Sequence, residues 1–368
     1  MKFSINREDL LEPLQLVSSV VERRQTLPVL SNLLCSVETG QLTLTGTDQE
    51  VELSAITEAI TDMAAGEVTI PARKLVDICR SLPPGAEVKF ALEENRVSIQ
   101  SGRFKSHLAT LPAVDFPRSE MEDAAVSLTI GGDELTGLLD KTSFAMAQQD
   151  VRYFFNGMLL EIDGNTVRTV ATNGQRLATS EFDAGAGMDG KSQFIIPRKG
   201  VIELARVIKD AGQSDVQLMA SSNHLKVSSG GASLTTKLID GTYPDYHRAI
   251  PEGGSKLVRI DRREVREALS RIAILSNEMY RNVKLLLSKD KLQLNANNPQ
   301  QEEAEETVTV DYDGDDLEIG FNVSYLIDVL STLQGEKVVM TLSDSNSAAL
   351  ITDPEDSMSR FVVSPMML

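Results

Sequence analysis

Side chains that carry out chemistry are scarce in this chain. Its 368 residues include 3 histidines and 2 cysteines. His107, His224 and His247 are scattered, none with a partner at ligand spacing, which argues against a zinc or iron site. Cys35 and Cys79 cannot make a disulfide framework and lie among apolar neighbours, so they read as small core residues. The sequence is read as having neither a phosphate-binding loop nor a G-x-S-x-G nucleophile elbow. Long apolar runs are also missing, and Met1-Lys2-Phe3 opens without a signal peptide, so no membrane association and a cytoplasmic location are expected. The contiguous carboxylates from Glu302 to Glu306 alternate between two faces, which suits a solvated or interface edge better than a magnesium site. No catalysis, cofactor or metal is expected. Function must lie in surface and shape.

Positive charge is in short supply too: 36 Lys and Arg against 54 Asp and Glu, a net charge of −18. Taken alone, that argues against nucleic acid. What the chain does have is repetition. The segment FSINREDLLEPL at 3–14 returns as LTIGGDELTGLL at 128–139 and as VRIDRREVREAL at 258–269. Ile5, Ile130 and Ile260 keep register, as do Leu10, Leu135 and Val265. The pairs Thr47-Asp48, Thr172-Asn173 and Asn297-Asn298 recur at one step of 125 residues. A period this long means three copies of a domain rather than a solenoid. Polar, Pro- and Gly-containing stretches place the domains at 1–120, 126–250 and 256–368.

Each copy is itself doubled. Ile5 with Leu10, Leu14 and Val17 has an echo in Ile70 with Leu75, Cys79 and Leu82. The spacing predicts helices over 7–24, 72–82, 133–149, 197–211, 261–281 and 322–334, each preceded by a short strand and followed by strands. Asn6 with Asp9, and Asp261 with Glu264, are placed as helix caps with their box partners. The fold class is therefore α+β, with six strand–helix–strands halves.

The predicted helices hold 16 of the 36 basic residues but only 15 of the 54 acidic ones, leaving the excess negative charge elsewhere. Arginine on a solvated helix face is the plainer reading. If the six helices are equivalent by symmetry, however, they form a near-neutral layer able to hold a polyanion loosely. The ends of the chain are complementary: Arg103 and Lys105, followed by Leu108, are basic, while Glu303 and Glu305 are acidic and follow Ile274 and Leu275 on a predicted helix. Head-to-tail contacts either close or run on as a filament, and closure through these edges is expected.

Seven segments carry a resemblance: QQDVRYFFNG at 148–157, VATNGQRLA at 170–178, IPRKGVIEL at 196–204, AILSNE at 273–278, NNPQQEEAEE at 297–306, IGFNVSY at 319–325 and VVSPMML at 362–368. Together they resemble the bacterial DNA polymerase III beta subunits, the replicative sliding clamps. The resemblance implies three DNA-clamp domains per chain and a head-to-tail homodimer forming a six-domain ring, helices inside and sheets outside. It implies a processivity factor that encircles double-stranded DNA and tethers the polymerase III catalytic subunit, loaded by a clamp-loader complex. Positions matching DNA contacts are Arg24, Gln149, Arg152, Tyr153, Arg198 and Lys199.

The resemblance also implies a cleft for a short peptide borne by polymerases, loader and repair proteins. Its matching positions are Phe155, Thr172, Gly174, Gln175, Arg176, Leu177, Pro244, Arg248, Val362, Ser364, Pro365 and Met366. Arg176 and Arg248 are expected to flank an apolar floor. Gln175, Ser364 and Met367 depart from the His, Met and Arg of many relatives, which bears on peptide preference. An acidic DNA mimic or scaffold that never encloses DNA is the alternative, and basic residues gathered on helices count against it.

Overall fold

The computed structural model describes residues 1–22, 27–185, 187, 190–212 and 214–367. Among them are six α-helices: α1 (Arg7–Val17), α2 (Ala72–Ser81), α3 (Gly132–Thr142), α4 (Arg198–Ala211), α5 (Arg262–Ile272) and α6 (Val323–Thr332). Each follows one strand and precedes three, with one extra strand, Ile60–Ala64, in the first repeat. No helix is long and apolar enough to cross a membrane.

Apolar periodicity sets the buried faces. In α5, Val265, Ala268, Leu269 and Ile272 are buried at helical spacing, and in α1 Leu10, Leu14 and Val17 are. Three helices end earlier than the pattern predicts. After α3 and α5 the chain tightens into 3-10 turns at Ser143–Ala145 and Ala273–Leu275, and α1 stops at Val17, where the Ser18 hydroxyl bonds back to the Gln15 carbonyl. Val20, Met146 and Ala147 stay buried beyond these ends, so the apolar spacing outlasts the helix. Asp261 caps α5 by accepting from Glu264 N at 3.0 Å. Asn6 does not cap α1: its amide donates to the Asp9 carboxylate at 3.4 Å.

The recurring Thr47-Asp48, Thr172-Asn173 and Asn297-Asn298 pairs mark one hairpin turn made three times. Asp48 Oδ1 accepts from the amides of Glu50 and Val51, Asn173 Oδ1 from Gln175 and Arg176, and Asn298 Oδ1 from Gln300 and Glu302. Such a side-chain mimic of a turn is what selects Asp or Asn.

Two compact units result. One comprises Met1–Thr136 with Lys199–Leu238, the other Gly137–Arg198 with Ile239–Leu368. The division does not follow the repeats, because each unit is organised by an eight-stranded sheet assembled from two of them. In the first unit the join is Ala232–Lys237 against Val51–Thr57, antiparallel, with Leu234 opposite Leu53. In the second it is Asp356–Val363 against Arg176–Asp183, with Val362 opposite Leu177. The first unit also holds a five-stranded sheet ending in Phe104–Ala109, and the second a four-stranded sheet ending in Glu303–Thr309. Phe104–Ala109 is the last strand of its repeat, like Ala232–Lys237 and Asp356–Val363, and Glu303–Thr309 corresponds in its repeat to Val51–Thr57 and Arg176–Asp183. Phe104–Ala109 and Glu303–Thr309 each have an unpaired edge.

Helix-borne arginines are partly structural. Arg7 at the start of α1 donates to the Cys79 and Arg80 carbonyls at the end of α2, at 3.0 and 3.4 Å. Arg262 at the start of α5 does the same beyond α6, donating to Gly335 O at 2.7 Å and Leu330 O at 3.1 Å. The corresponding residue in the middle repeat is Gly132, where a Cβ would lie 2.7 Å from Ser214 O. Close approach replaces the arginine there. Cys35 and Cys79 are buried, and burial pushes both thiols up to about 12, as unreactive core residues require.

Replacing Arg262 by Ala should therefore leave carbonyls at the end of α6 unsatisfied and lower stability by about 1–2 kcal/mol. Urea unfolding should show a reduced midpoint at unchanged slope. An unchanged midpoint would mean that water serves these carbonyls as well as the guanidinium does.

Candidate functional site

A hollow of about 140 Å³ opens on the second unit. Its lining comes from the turn before Gly157–Asp163, from the hairpin into Arg176–Asp183, from the segment Tyr243 to Ala249 and from the C-terminal strand. Phe155, Leu177, Tyr243, Tyr246 and Val362 are buried parts of one apolar cluster at its base. Nine of the twelve expected cleft residues line it: Phe155, Thr172, Gly174, Gln175, Arg176, Leu177, Pro244, Val362 and Ser364. Pro365 and Met366 instead line a neighbouring hollow of about 610 Å³ with Glu318, Gly320 and Asn346. Arg248 stands in solvent beside Asp245 at 3.1 Å. Tyr243, Asp245, Tyr246 and Ala249 were not expected in the lining. They adjoin the expected Pro244 and Arg248 in sequence, and only the fold brings them to the hollow.

The wall at Gly174 depends on its lack of a side chain. Gly174 has φ +85°, and a Cβ there would lie 2.9 Å from the Arg152 guanidinium. Arg152 stacks over the Phe155 ring at 4.6 Å and forks onto Asp150, Nε to Oδ1 at 3.0 Å and Nη2 to Oδ2 at 2.8 Å. Arg176 is also committed. It bonds Asp328 and the Phe144 carbonyl, and its guanidinium lies 4.5 Å from the Tyr325 ring centre. It therefore braces the hollow against α6 and does not flank the floor as a free cation. Gln175 Oε1 accepts from the Tyr325 hydroxyl at 3.1 Å.

At the corresponding place of the first unit's strand junction the opposed pair is polar. Opposite one another there stand Glu52 and Thr235, in the places of Leu177 and Val362. Glu52 accepts from Ser119 N at 2.9 Å, and burial raises its carboxyl above the ordinary range. Two apolar side chains separate a sticky junction from a polar one; each contributes about 1.5–3 kcal/mol of burial.

Candidate DNA contacts divide by environment. Gln149 is exposed with φ +57°, and Tyr153 is 55% exposed. These two and Arg152 belong to the second unit, Lys199 to the first, and Arg24 lies outside the described residues. Lys199 bonds Asp48 and, at 3.0 Å, Glu22; burial disfavours its charge, but the two carboxylates win and raise its pKa. On the observed bounds the helices carry 13 basic and 12 acidic residues. Arg73, Lys74, Arg80, Arg198 and Arg266 have no carboxylate partner among the described residues. Arg73 and Lys74 open α2, and Arg198 opens α4, against the helix dipole.

Two readings of the sequence need correction. Residues 185–192 do spell G-x-x-x-x-G-K-S, and 185–190 G-x-G-x-x-G. Residues 186, 188 and 189 lie outside the described residues; the stretch leads into the strand Lys191–Pro197 and not into a helix N-terminus, and Lys191 pairs with Glu161 at 2.7 Å, so the motif lacks the context a phosphate loop needs. At the chain's edges, Arg103, Lys105, Glu303 and Glu305 are exposed as expected for an edge. Ile274 and Leu275 lie on a 3-10 turn, not a helix, with Ile274 77% exposed, while Leu108 is buried in its own sheet and Phe104 is the exposed apolar residue of that strand. Among the described residues no cluster of His, Cys, Asp and Glu is placed to hold a metal ion.

Comparison with known proteins covers the whole chain. Family models of the N-terminal, central and C-terminal domains of the DNA polymerase III beta subunit match residues 1–120, 129–245 and 247–367. The chain is 52% identical over 370 residues to the beta sliding clamp of Pseudomonas aeruginosa, with 100% of both chains covered. It is 45% identical over 368 residues to that of Escherichia coli K12, again with 100% of both covered. The crystal structure of the Pseudomonas aeruginosa subunit matches with a TM-score of 0.97 at 52% identity and 100% coverage of each chain. A Pseudomonas aeruginosa sliding clamp bound to griselimycin matches at 0.96, with 52% identity over 100% of both chains.

The Asp150 fork has a measurable signature. Bonds from the Arg152 side chain and amide hold the Asp150 carboxyl down to about 2, against 3.8 for the free side chain. A depressed pKa means the tether is intact above the ordinary range and is lost as pH falls through about 2. Carboxyl carbon shifts should place this titration near pH 2, and Arg152→Gln should return it towards 3.8. A wild-type midpoint near 3.8 would show the fork to be absent in solution.

Proposed function

The chain belongs to the DNA polymerase III beta subunit family, the beta sliding clamps, and from that premise we propose that two copies close head to tail into a six-domain ring around duplex DNA. The ring is a processivity factor rather than a catalyst, working in the cytoplasm on the three domains 1–120, 126–250 and 256–368. The observation that carries the reading is the pair of internal strand junctions. Each joins the last strand of one repeat to the fourth strand of its neighbour, and the chain ends with one unmatched strand of each kind.

The junctions supply a register for the closure. Ser233 opposite Ser54 translates to Lys105 of one copy opposite Glu305 of the other, and Thr235 opposite Glu52 translates to His107 opposite Glu303. Both pairs join residues of complementary type. Arg103 extends the basic edge, and Ile274, Leu275 and Phe104 supply apolar area, which outweighs rim ion pairs worth under ~1 kcal/mol each. An unpaired edge strand is a template for another chain, so closure also removes an aggregation hazard.

Arg24, Gln149, Tyr153 and Arg198 serve as DNA contacts in this reading; Arg152 and Lys199 reach a phosphate only by leaving a carboxylate. Contacts of this kind position without reading sequence. The hollow above Leu177 and Val362 takes the short peptide of the polymerase III catalytic subunit, the clamp loader and other polymerases and repair proteins. Pro365, Met366 and Arg248 extend it along the neighbouring surface. An acidic DNA mimic is not favoured, since the whole chain matches the clamp family.

Replacing Ile274 and Leu275 by Ala should give a folded monomer of 40.2 kDa by solution mass measurement, where the intact chain gives twice that. Persistence of the dimer in the variant at low micromolar concentration would place the closing edge elsewhere.

Retention on DNA should be topological. Few free phosphate contacts make direct binding weak and steeply salt-dependent. Loaded on a nicked circle, the ring should survive salt that abolishes direct binding, and linearising the circle should release it. Equal retention on linear DNA with free ends would rule out enclosure.

A further inference from the structure

The cleft has apolar walls on both sides of an open hollow, and such walls attract each other. Something must hold them apart. On the cleft face of the second unit's large sheet, directly opposed residues form rows across neighbouring strands. One row is apolar, Ile195, Leu159 and Val170. Two residues further along each strand lies a polar row, Gln193, Glu161, Arg168 and Glu181.

Tyr246 bridges the two rows. It stands on the 3-10 turn Tyr246–Ala249, in the wall that faces Leu177 and Val362. Its ring packs in the apolar cluster. Its phenol oxygen accepts from Arg168 Nη1 at 3.0 Å and its hydroxyl donates to Glu161 Oε1 at 3.0 Å. Burial pushes that phenol up to about 12, so it remains a donor at any physiological pH.

The anchor is rigid because its members are mutually determined. Glu161 is 0% exposed, and its other oxygen receives Gln193 Nε2 at 2.7 Å and Lys191 Nζ at 2.7 Å. Burial alone would raise its carboxyl, but the bonds from Lys191, Gln193 and Tyr246 reverse the direction and hold it ionised. Arg168 bonds both Glu161 and Glu181 across its own strand. A buried carboxylate satisfied on every side has no second position of comparable energy.

We propose that Glu161 and Arg168 are positioning residues for peptide binding: through the Tyr246 phenol they pin the segment from Tyr243 to Ala249 in its place at the side of the hollow, so that the hollow is preformed. The proposal rests on the reading of this hollow as the peptide cleft. Without the pin the wall settles onto the apolar floor for part of the time. The peptide then meets an open cleft less often, which slows association and leaves dissociation nearly unchanged.

The test uses the full-length ring and a fluorescein-labelled peptide carrying adjacent Leu and Phe anchors, followed by anisotropy and stopped flow. Tyr246→Phe keeps the ring and removes the pin, and Arg168→Gln removes its other end. Tyr312→Phe is the control, since it removes a phenol of the same unit whose hydroxyl bonds the Asp315 carbonyl at 2.6 Å and which does not line the hollow. Both pin variants should bind about tenfold more weakly, through the association rate, while the control stays within about twofold of the intact ring. Intact affinity in Tyr246→Phe and Arg168→Gln, with binding abolished by deletion of residues 364–368, would overturn the pin and leave the cleft standing. An equal loss in Tyr312→Phe, or a loss carried by the dissociation rate, would mean general loosening and overturn it too. Affinity unaffected by the deletion would sink the cleft reading and the pin with it.

Discussion

Backbone hydrogen bonding at sheet edges is the constraint on which this chain is organised. A strand with one bare side must be covered or find a partner. The repeats solve this by lending edges to each other: Ala232–Lys237 covers Val51–Thr57, and Asp356–Val363 covers Arg176–Asp183. The compact units therefore cut through the middle repeat. A repeat is a unit of sequence, whereas the joined sheet is the unit of burial. Arithmetic then leaves one strand of each kind over, Phe104–Ala109 and Glu303–Thr309, and makes self-association the natural end of the pattern.

The helices show how little of a charge count is available for binding. Arg7 and Arg262 are spent on helix-end carbonyls, and Lys199, Arg263 and Arg271 on carboxylates. What stays free is concentrated at the starts of α2 and α4, where the dipole opposes it. Helices that are near neutral in sum and free of carboxylate partners at only a few cations suit a sliding contact, which must not hold any phosphate long enough to arrest.

Cleft and junction are one piece of structure put to two uses. Leu177 opposite Val362 makes the second junction apolar, and the crossing segment from Tyr243 roofs it. At the first junction Glu52 and Thr235 take those places, and the pseudo-equivalent surface is satisfied by Ser119. The repeat supplies the same strand pairing twice, and the opposed pair is apolar in one copy and polar in the other.

Periodicity and self-similarity determined the number of helices, their order and their buried faces, because these follow from local spacing that any fold must respect. The resemblance to the clamp family, not spacing, marked Leu177, Val362 and Gly174 as cleft positions, and all three line the hollow. Helix ends were less legible: Val20 and Met146 keep the apolar rhythm from non-helical backbone. Only the tertiary structure decided which cations are free, because Arg152, Arg176 and Lys199 find their partners through folding, not through spacing. It alone brought Tyr243, Asp245 and Tyr246 to the hollow beside Pro244. A side chain's partners across a sheet depend on strand order, and strand order is set by how the repeats share their edges, which no single segment encodes.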